Sequence, residues 1–156
     1  MNRSIELHLD EVQSFLPKEF SGRAVHEAHY ELSNGKCLLK FYFDQFESSS
    51  FVLLVCDPTK PRDEGMKFLI LRHLLNAKER MQSDESRFSY VGRVLSTNFA
   101  NILQGDFSIR RKYDLVESTF LDHLDEVMSL PQDAHPRQLF DDCDIRWLDE
   151  VSQKGG

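Results

Sequence analysis

The stretch HEAHYELSNGKCLLKFYF, residues 26–43, restricts the fold more than any other part of the chain. Two runs that alternate between apolar and polar residues meet at Asn34-Gly35, a pair suited to the positive φ angles of a tight hairpin turn. A two-residue loop there predicts that Ser33 faces Lys36, Leu32 faces Cys37, Tyr30 faces Leu39, Ala28 faces Phe41 and His26 faces Phe43. The face formed by the last four of these pairs, from Leu32 with Cys37 to His26 with Phe43, is nearly all apolar. Across the other face Glu27 and Glu31 flank Lys40, a solvated arrangement. Strands are therefore expected over residues 25–32 and 37–44, with the side-chain period of two deciding which face is buried.

Beyond the hairpin, Phe51 to Cys56 is apolar without alternation and predicts a strand covered on both faces. Residues 57–65 follow as an exposed loop with two prolines. Ahead of the hairpin, IELHL (residues 5–9) alternates and suggests a further strand, and DEVQSFL (residues 10–16) a short helix stopped by Pro17.

Everything after residue 65 reads as helical. A helix is expected over residues 66–81, with Phe68, Leu69, Leu71, Leu74 and Leu75 on its apolar side. A second, capped by Ser83 or Asp84, carries Phe88, Val91, Leu95, Phe99, Ile102 and Leu103 and stops at Gly105. Asp106 or Ser108 would cap a third with Ile109, Tyr113, Val116, Phe120, Leu124, Val127 and Met128, ended by Pro131. Leu139, Phe140, Ile145, Trp147, Leu148 and Val151 support one or two short helices after it. Strands first and helices after define an α+β class: an antiparallel hairpin or meander of three to four strands packed on four or five helices. The 156 residues suit one domain, mainly sheet over 1–57 and mainly helical over 66–153. With 40% hydrophobic residues and 12 phenylalanines, the chain has material for a sizeable core.

Three cysteines, Cys37, Cys56 and Cys143, form no CxxC pair, which suggests a reducing, cytoplasmic setting. No apolar run reaches membrane-spanning length, and the charged N-terminus lacks a secretory h-region, so no membrane partner is expected.

Catalytic patterns are sparse. His26 and His29 lie three apart on the expected strand and so point to opposite faces, His26 at the core edge and His29 in solvent. Cys37 and Cys56 have no cationic neighbour in sequence and read as buried, inert thiols. His123 shares a helix face with Thr119 and Glu126, as in an ordinary surface pair. His135 with Asp141 and Asp144 is the densest potential metal set, but Asp141, Asp142 and Asp144 also suit a helix end followed by a cap. There is no GxSxG, GxGxxG or GxxxxGK, and no cofactor is expected. The basic triplet Arg110-Arg111-Lys112 opens the third helix, where positive charge is unfavourable, and is expected to pair with nearby acids.

Charge placement is the most informative functional feature. Residues 1–111 hold 15 Lys and Arg against 15 Asp and Glu, whereas residues 112–150 hold three against eleven, a sum of −8; Lys154 brings the total to −7. A nucleic-acid binder would carry the opposite sign, so no nucleic-acid partner is expected. The acidic quarter reads either as a solvated face or as a docking surface for a basic protein, formed by Asp122, Asp125, Glu126, Asp141, Asp142, Asp144 and Asp149 with Trp147 and Phe140 as anchors. In size, acidity, α+β layout and lack of catalytic motifs the chain resembles the immunity proteins that neutralise bacterial toxins. That likeness implies a non-enzymatic inhibitor of a basic partner. Two other readings stand beside it: a metal-dependent hydrolase built on His135, Asp141 and Asp144, and an acidic secretion chaperone that dimerises and binds an unfolded segment along an exposed sheet edge.

Overall fold

Hydrogen bonds made by one side chain set the central hairpin. The computed structural model describes residues 3–44, 50–75 and 80–134, and in it Asn34 Oδ1 accepts from both Lys36 N (2.9 Å) and Cys37 N (2.8 Å). An Asx-type turn of this kind widens the loop to residues 34–37. The strand His29–Ser33 therefore pairs with Leu38–Phe43 two residues away from the expected register: Ser33 with Leu38, Leu32 with Leu39, Tyr30 with Phe41. A shift of two preserves parity, so Tyr30, Leu32, Leu39, Phe41 and Phe43 still face the core. The Asn34 amide also donates to Leu103 O at 2.8 Å, tying the turn to a distant helix end.

In chain order the described elements are α1 (Arg3–Gln13), β1 (Ser21–His26), β2 (His29–Ser33), β3 (Leu38–Phe43), β4 (Phe51–Cys56), β5 (Met66–Lys67), α2 (Phe68–Leu74), α3 (Arg87–Asn98), α4 (Ala100–Leu103) and α5 (Arg110–Met128), followed by one 3₁₀ turn, Gln132–Ala134. The strands form one antiparallel sheet in the order β1-β2-β3-β4-β5. The α+β class stands, with five strands where three or four were expected. The extra pairings arise at two places. The chain reverses at Glu27-Ala28, so the expected first strand divides into β1 and β2. Met66 and Lys67 pair with Val55 and Leu54 before the helix starts, so the helix expected from residue 66 begins at Phe68 and runs to Leu74, and residues 76–79 of the expected span lie outside the described residues.

The segment IELHL is helical, which corrects the strand reading. Ile5, Leu9 and Val12 are the buried positions of α1 and follow helical spacing, while Leu7, which a strand would have buried with Ile5 and Leu9, is 55% exposed. The β4 strand is covered less than expected: Phe51, Leu53 and Val55 are buried, but Val52 is exposed and Leu54 half-buried on the other face. Ser86, rather than Ser83 or Asp84, caps α3 by accepting from Ser89 N at 3.0 Å. Its hydroxyl and that of Ser89 both donate to Glu11 Oε2, which pins α1 against α3. The expected second helix is broken at Phe99 into α3 and α4, and Gly105 follows as the left-handed terminating residue at φ +96°.

One hydrophobic cluster runs from Ile5 through the inner sheet face to Val127. At its centre Phe88 of α3 stacks on Phe51 (4.8 Å between ring centroids) and meets Phe43 (6.0 Å). The ring of His8 covers its other side at 4.0 Å. Aromatic pairs at these separations contribute beyond the area they bury.

Two glycines in left-handed conformations separate backbone cost from steric cost. A Cβ on Gly35 (φ +83°) would meet nothing within 4 Å, whereas one on Gly65 (φ +91°) would lie 2.7 Å from Cys56 Sγ and 3.1 Å from Leu54 Cβ. Gly35→Ala should cost about 1–2 kcal/mol, the left-handed penalty alone. Gly65→Ala should lose about 1–3 kcal/mol more through overpacking. Urea unfolding of the two variants measures the difference, and equal losses would show that the Gly65 contact relaxes freely.

Candidate functional site

The 19-residue helix α5 has two unlike faces. Tyr113, Phe120 and Val127, spaced by seven, are buried, with Val116 and Leu124 partly buried beside them. Asp122, Asp125 and Glu126 are all exposed on the solvent side. Leu115 (72% exposed), Leu121 and Met128 are exposed too. Met128 was expected in the core stripe; it falls one residue past the seven-residue spacing and turns outward.

Side-chain ties fix the rotation of this helix. The Tyr113 hydroxyl accepts from Lys67 N at 2.8 Å and donates to Glu117 Oε2 at 2.5 Å. Burial first, and then the Glu117 carboxylate, push the Tyr113 phenol well above its ordinary pKa, so it remains a donor. Lys67 Nζ lies 3.4 Å from the same carboxylate. At the helix start Arg110 bonds Asp63 Oδ1 through Nη1 at 2.8 Å and Asp114 Oδ1 through Nε at 3.2 Å. The first residue of the basic triplet thus pairs with acids, as expected from its position. Asp114 and Glu117 are engaged, while Asp122, Asp125 and Glu126 form no ion pair among the described residues.

The other members of the expected docking surface, Asp141, Asp142, Asp144, Trp147 and Asp149, lie outside the described residues, as do Phe140 and the metal candidate His135. Among the described residues no three His, Cys, Asp or Glu side chains converge to hold a metal. No described helix is long and apolar enough to cross a membrane.

The histidine pair needs correcting. His26 and His29 flank the Glu27-Ala28 turn and are cross-strand partners, with a register irregularity between Ala24 and His26. Cross-strand partners share a face, so the two imidazoles lie on one side of the sheet. Their burial is also the reverse of expectation: His26 is exposed, and His29 is half-buried against the Tyr42 ring at 4.2 Å. Burial lowers the His29 pKa despite Glu31 Oε2 at 3.5 Å. The thiols are buried, and that burial pushes Cys37 up to about 12 and Cys56 up to about 11, which leaves both protonated and unreactive.

Sequence reasoning missed the exposed apolar trio of α5, although Leu115 and Leu121 are visibly out of phase with the core stripe. It also missed the partners of Asp63, for which the sequence holds no signal, since Arg110 is 47 residues away. Family models, curated proteins and solved structures were compared with the chain, and none matches it.

Asp63 is the most tightly held carboxylate of this region, its side chain only 4% exposed. Burial alone would raise its pKa, but bonds from Asp57 N (2.8 Å), Gly65 N (2.9 Å) and Arg110 outweigh it and hold the carboxyl below the usual range. A depressed folded-state pKa contributes stability that is complete above the unfolded value, about 3.9, and is lost as pH falls through the folded value. Asp63→Asn should therefore be less stable than the parent at pH 7, with the gap closing below about pH 4. Denaturant midpoints of both proteins across that range test this, and a pH-independent gap would assign the loss to packing.

Proposed function

We propose that the outward face of α5 is a docking surface for a basic protein, and that the chain is a non-enzymatic binding protein that inhibits or neutralises this partner. One observation carries the reading: α5 is charged against its own dipole at both ends. Arg110, Arg111 and Lys112 open it, no acid lies in its first turn, and no basic residue lies in its last. Residues 114–134 hold six acidic side chains and no lysine or arginine. Each such placement costs about 0.3–1 kcal/mol at low ionic strength relative to the reverse. At the start of the helix Arg110 recovers part of that cost through Asp63 and Asp114; at its end, where Asp125 and Glu126 form no ion pair among the described residues, the broken rule points to a role outside the helix. Leu115, Leu121 and Met128 supply apolar contact area near Asp122, Asp125 and Glu126, a mixture suited to a surface that steers by charge and holds by burial. Such a surface would seat over a positively charged active-site cleft, as an immunity-type neutraliser does.

A chaperone-like role has one observation in its favour, the edge strand β1, whose six residues are all exposed. Its bulge and Arg23 are the usual guards against edge pairing, so the helix face is the stronger reading.

The test begins with affinity capture of a partner and then measures association at two salt concentrations. At about 0.15 M salt the Debye length is roughly 8 Å, so added salt should slow association much more than it speeds dissociation. Reversing Asp122, Asp125 and Glu126 to lysine should cut the low-salt on-rate about tenfold or more. Leu115→Ala should instead raise the off-rate. An acidic partner, or rates indifferent to salt and to charge reversal, would leave the acidic face as solvation only.

A further inference from the structure

The loop of residues 57–63 and the start of α5 enclose a cleft of about 600 Å³, lined by Asp57, Thr59, Lys60, Pro61, Arg62, Asp63, Phe107 and Arg110. Its lining is basic on balance, three cations against two carboxylates, in a chain whose net charge is −7. The Asp63 carboxylate is turned into the protein, and Asp57, half-buried, engages its own turn through one oxygen. Asp63 uses Oδ2 on Asp57 N and Oδ1 on Gly65 N and Arg110 Nη1. Asp57 Oδ1 accepts from Thr59 N (3.0 Å) and Thr59 Oγ1 (2.6 Å), closing its own turn. The cations are differently placed. Lys60 and Arg62 are exposed at the cleft, and Arg110 Nη2 has no acceptor among the described residues. Pro61 and the half-buried Phe107 give the same cleft apolar walls.

We propose that this cleft binds a small anion carrying a flat apolar ring, an aromatic carboxylate, sulfonate or phosphate. The anionic group would sit among Lys60, Arg62 and the remaining Arg110 donor, with the positive end of α5 adding to the attraction. The ring would pack on Phe107 and Pro61. A cation is disfavoured because both Asp63 oxygens are engaged internally and three cationic side chains line the same cleft. An uncharged apolar ligand is disfavoured because it would strip water from the cations without replacing it. The acidic face does not contribute: Asp122, Asp125 and Glu126 lie three turns or more along α5 from Arg110. Ligand binding and partner binding are thus separately testable.

The probe is anilinonaphthalene sulfonate, which is both ring and anion, added to the full chain with fluorescence and backbone-amide NMR as readouts. Two arms divide its chemistry: N-phenylnaphthylamine, which has the rings without the sulfonate, and inorganic phosphate, an anion without a ring. Saturable binding of the sulfonate is expected, stronger than either arm alone, with amide shifts confined to residues 57–65 and 106–111. The double variant Lys60→Glu, Arg62→Glu should weaken it about tenfold, since it removes two exposed ion pairs and adds repulsion. Phe107→Leu keeps apolar volume but removes the aromatic face and should weaken it by a smaller factor. Circular dichroism confirms that each variant is folded. Binding that is unsaturable, equal for the neutral ring compound, or unchanged in the double variant overturns the proposal.

Discussion

A single tyrosine hydroxyl closes the sheet. The β5 strand has only two residues and stands at the sheet edge, so the N–H of Lys67 has no further strand to bond. An unsatisfied backbone donor at a buried edge costs about 1–3 kcal/mol. Tyr113 removes that cost by accepting from Lys67 N and donating to Glu117. Because Tyr113 lies one turn into α5, the same bond fixes how the whole helix is rotated. Phe120 and Val127 follow at seven-residue spacing and enter the core, and the side chains half a turn away are left in solvent.

The electrostatic character of the surface follows from that rotation. Near the sheet, α5 acids are neutralised by cations: Glu117 by Lys67 and Asp114 by Arg110. Further along, Asp122, Asp125 and Glu126 are exposed and form no ion pair among the described residues. One helix therefore presents a basic, loop-flanked cleft at its beginning and, among the described residues, an unpaired acidic face toward its end. Neither depends on a strained or reactive group. Burial holds the Cys37 and Cys56 thiols protonated and lowers the His29 pKa.

Much of the fold was legible in the sequence where one local rule acted alone. Alternation in residues 29–33 and 38–43 identified the buried faces of β2 and β3, Gly105 marked a helix end, and the apolar stripe through Tyr113, Phe120 and Val127 marked the core side of α5, Met128 excepted. Errors arose where two local rules competed. IELHL fits a period of two as well as a helical repeat, and only packing of Ile5, Leu9 and Val12 against α3 decides for the helix. The hairpin register was misplaced by two because the Asn34 side chain accepts two backbone bonds, and its amide finds an acceptor at Leu103, 69 residues away.

The sequence by itself determined the α+β class, the inward sides of the central strands and the concentration of negative charge after residue 112, because these depend on composition and on neighbours a few residues apart. Only the tertiary structure decided that His26 and His29 share a face, that Asp63 and Arg110 meet, and which acids of α5 lie exposed without an ion pair among the described residues. Those outcomes depend on where chain reversals place distant residues, and a reversal such as Glu27-Ala28 is a choice between nearly equal local conformations that long-range packing resolves.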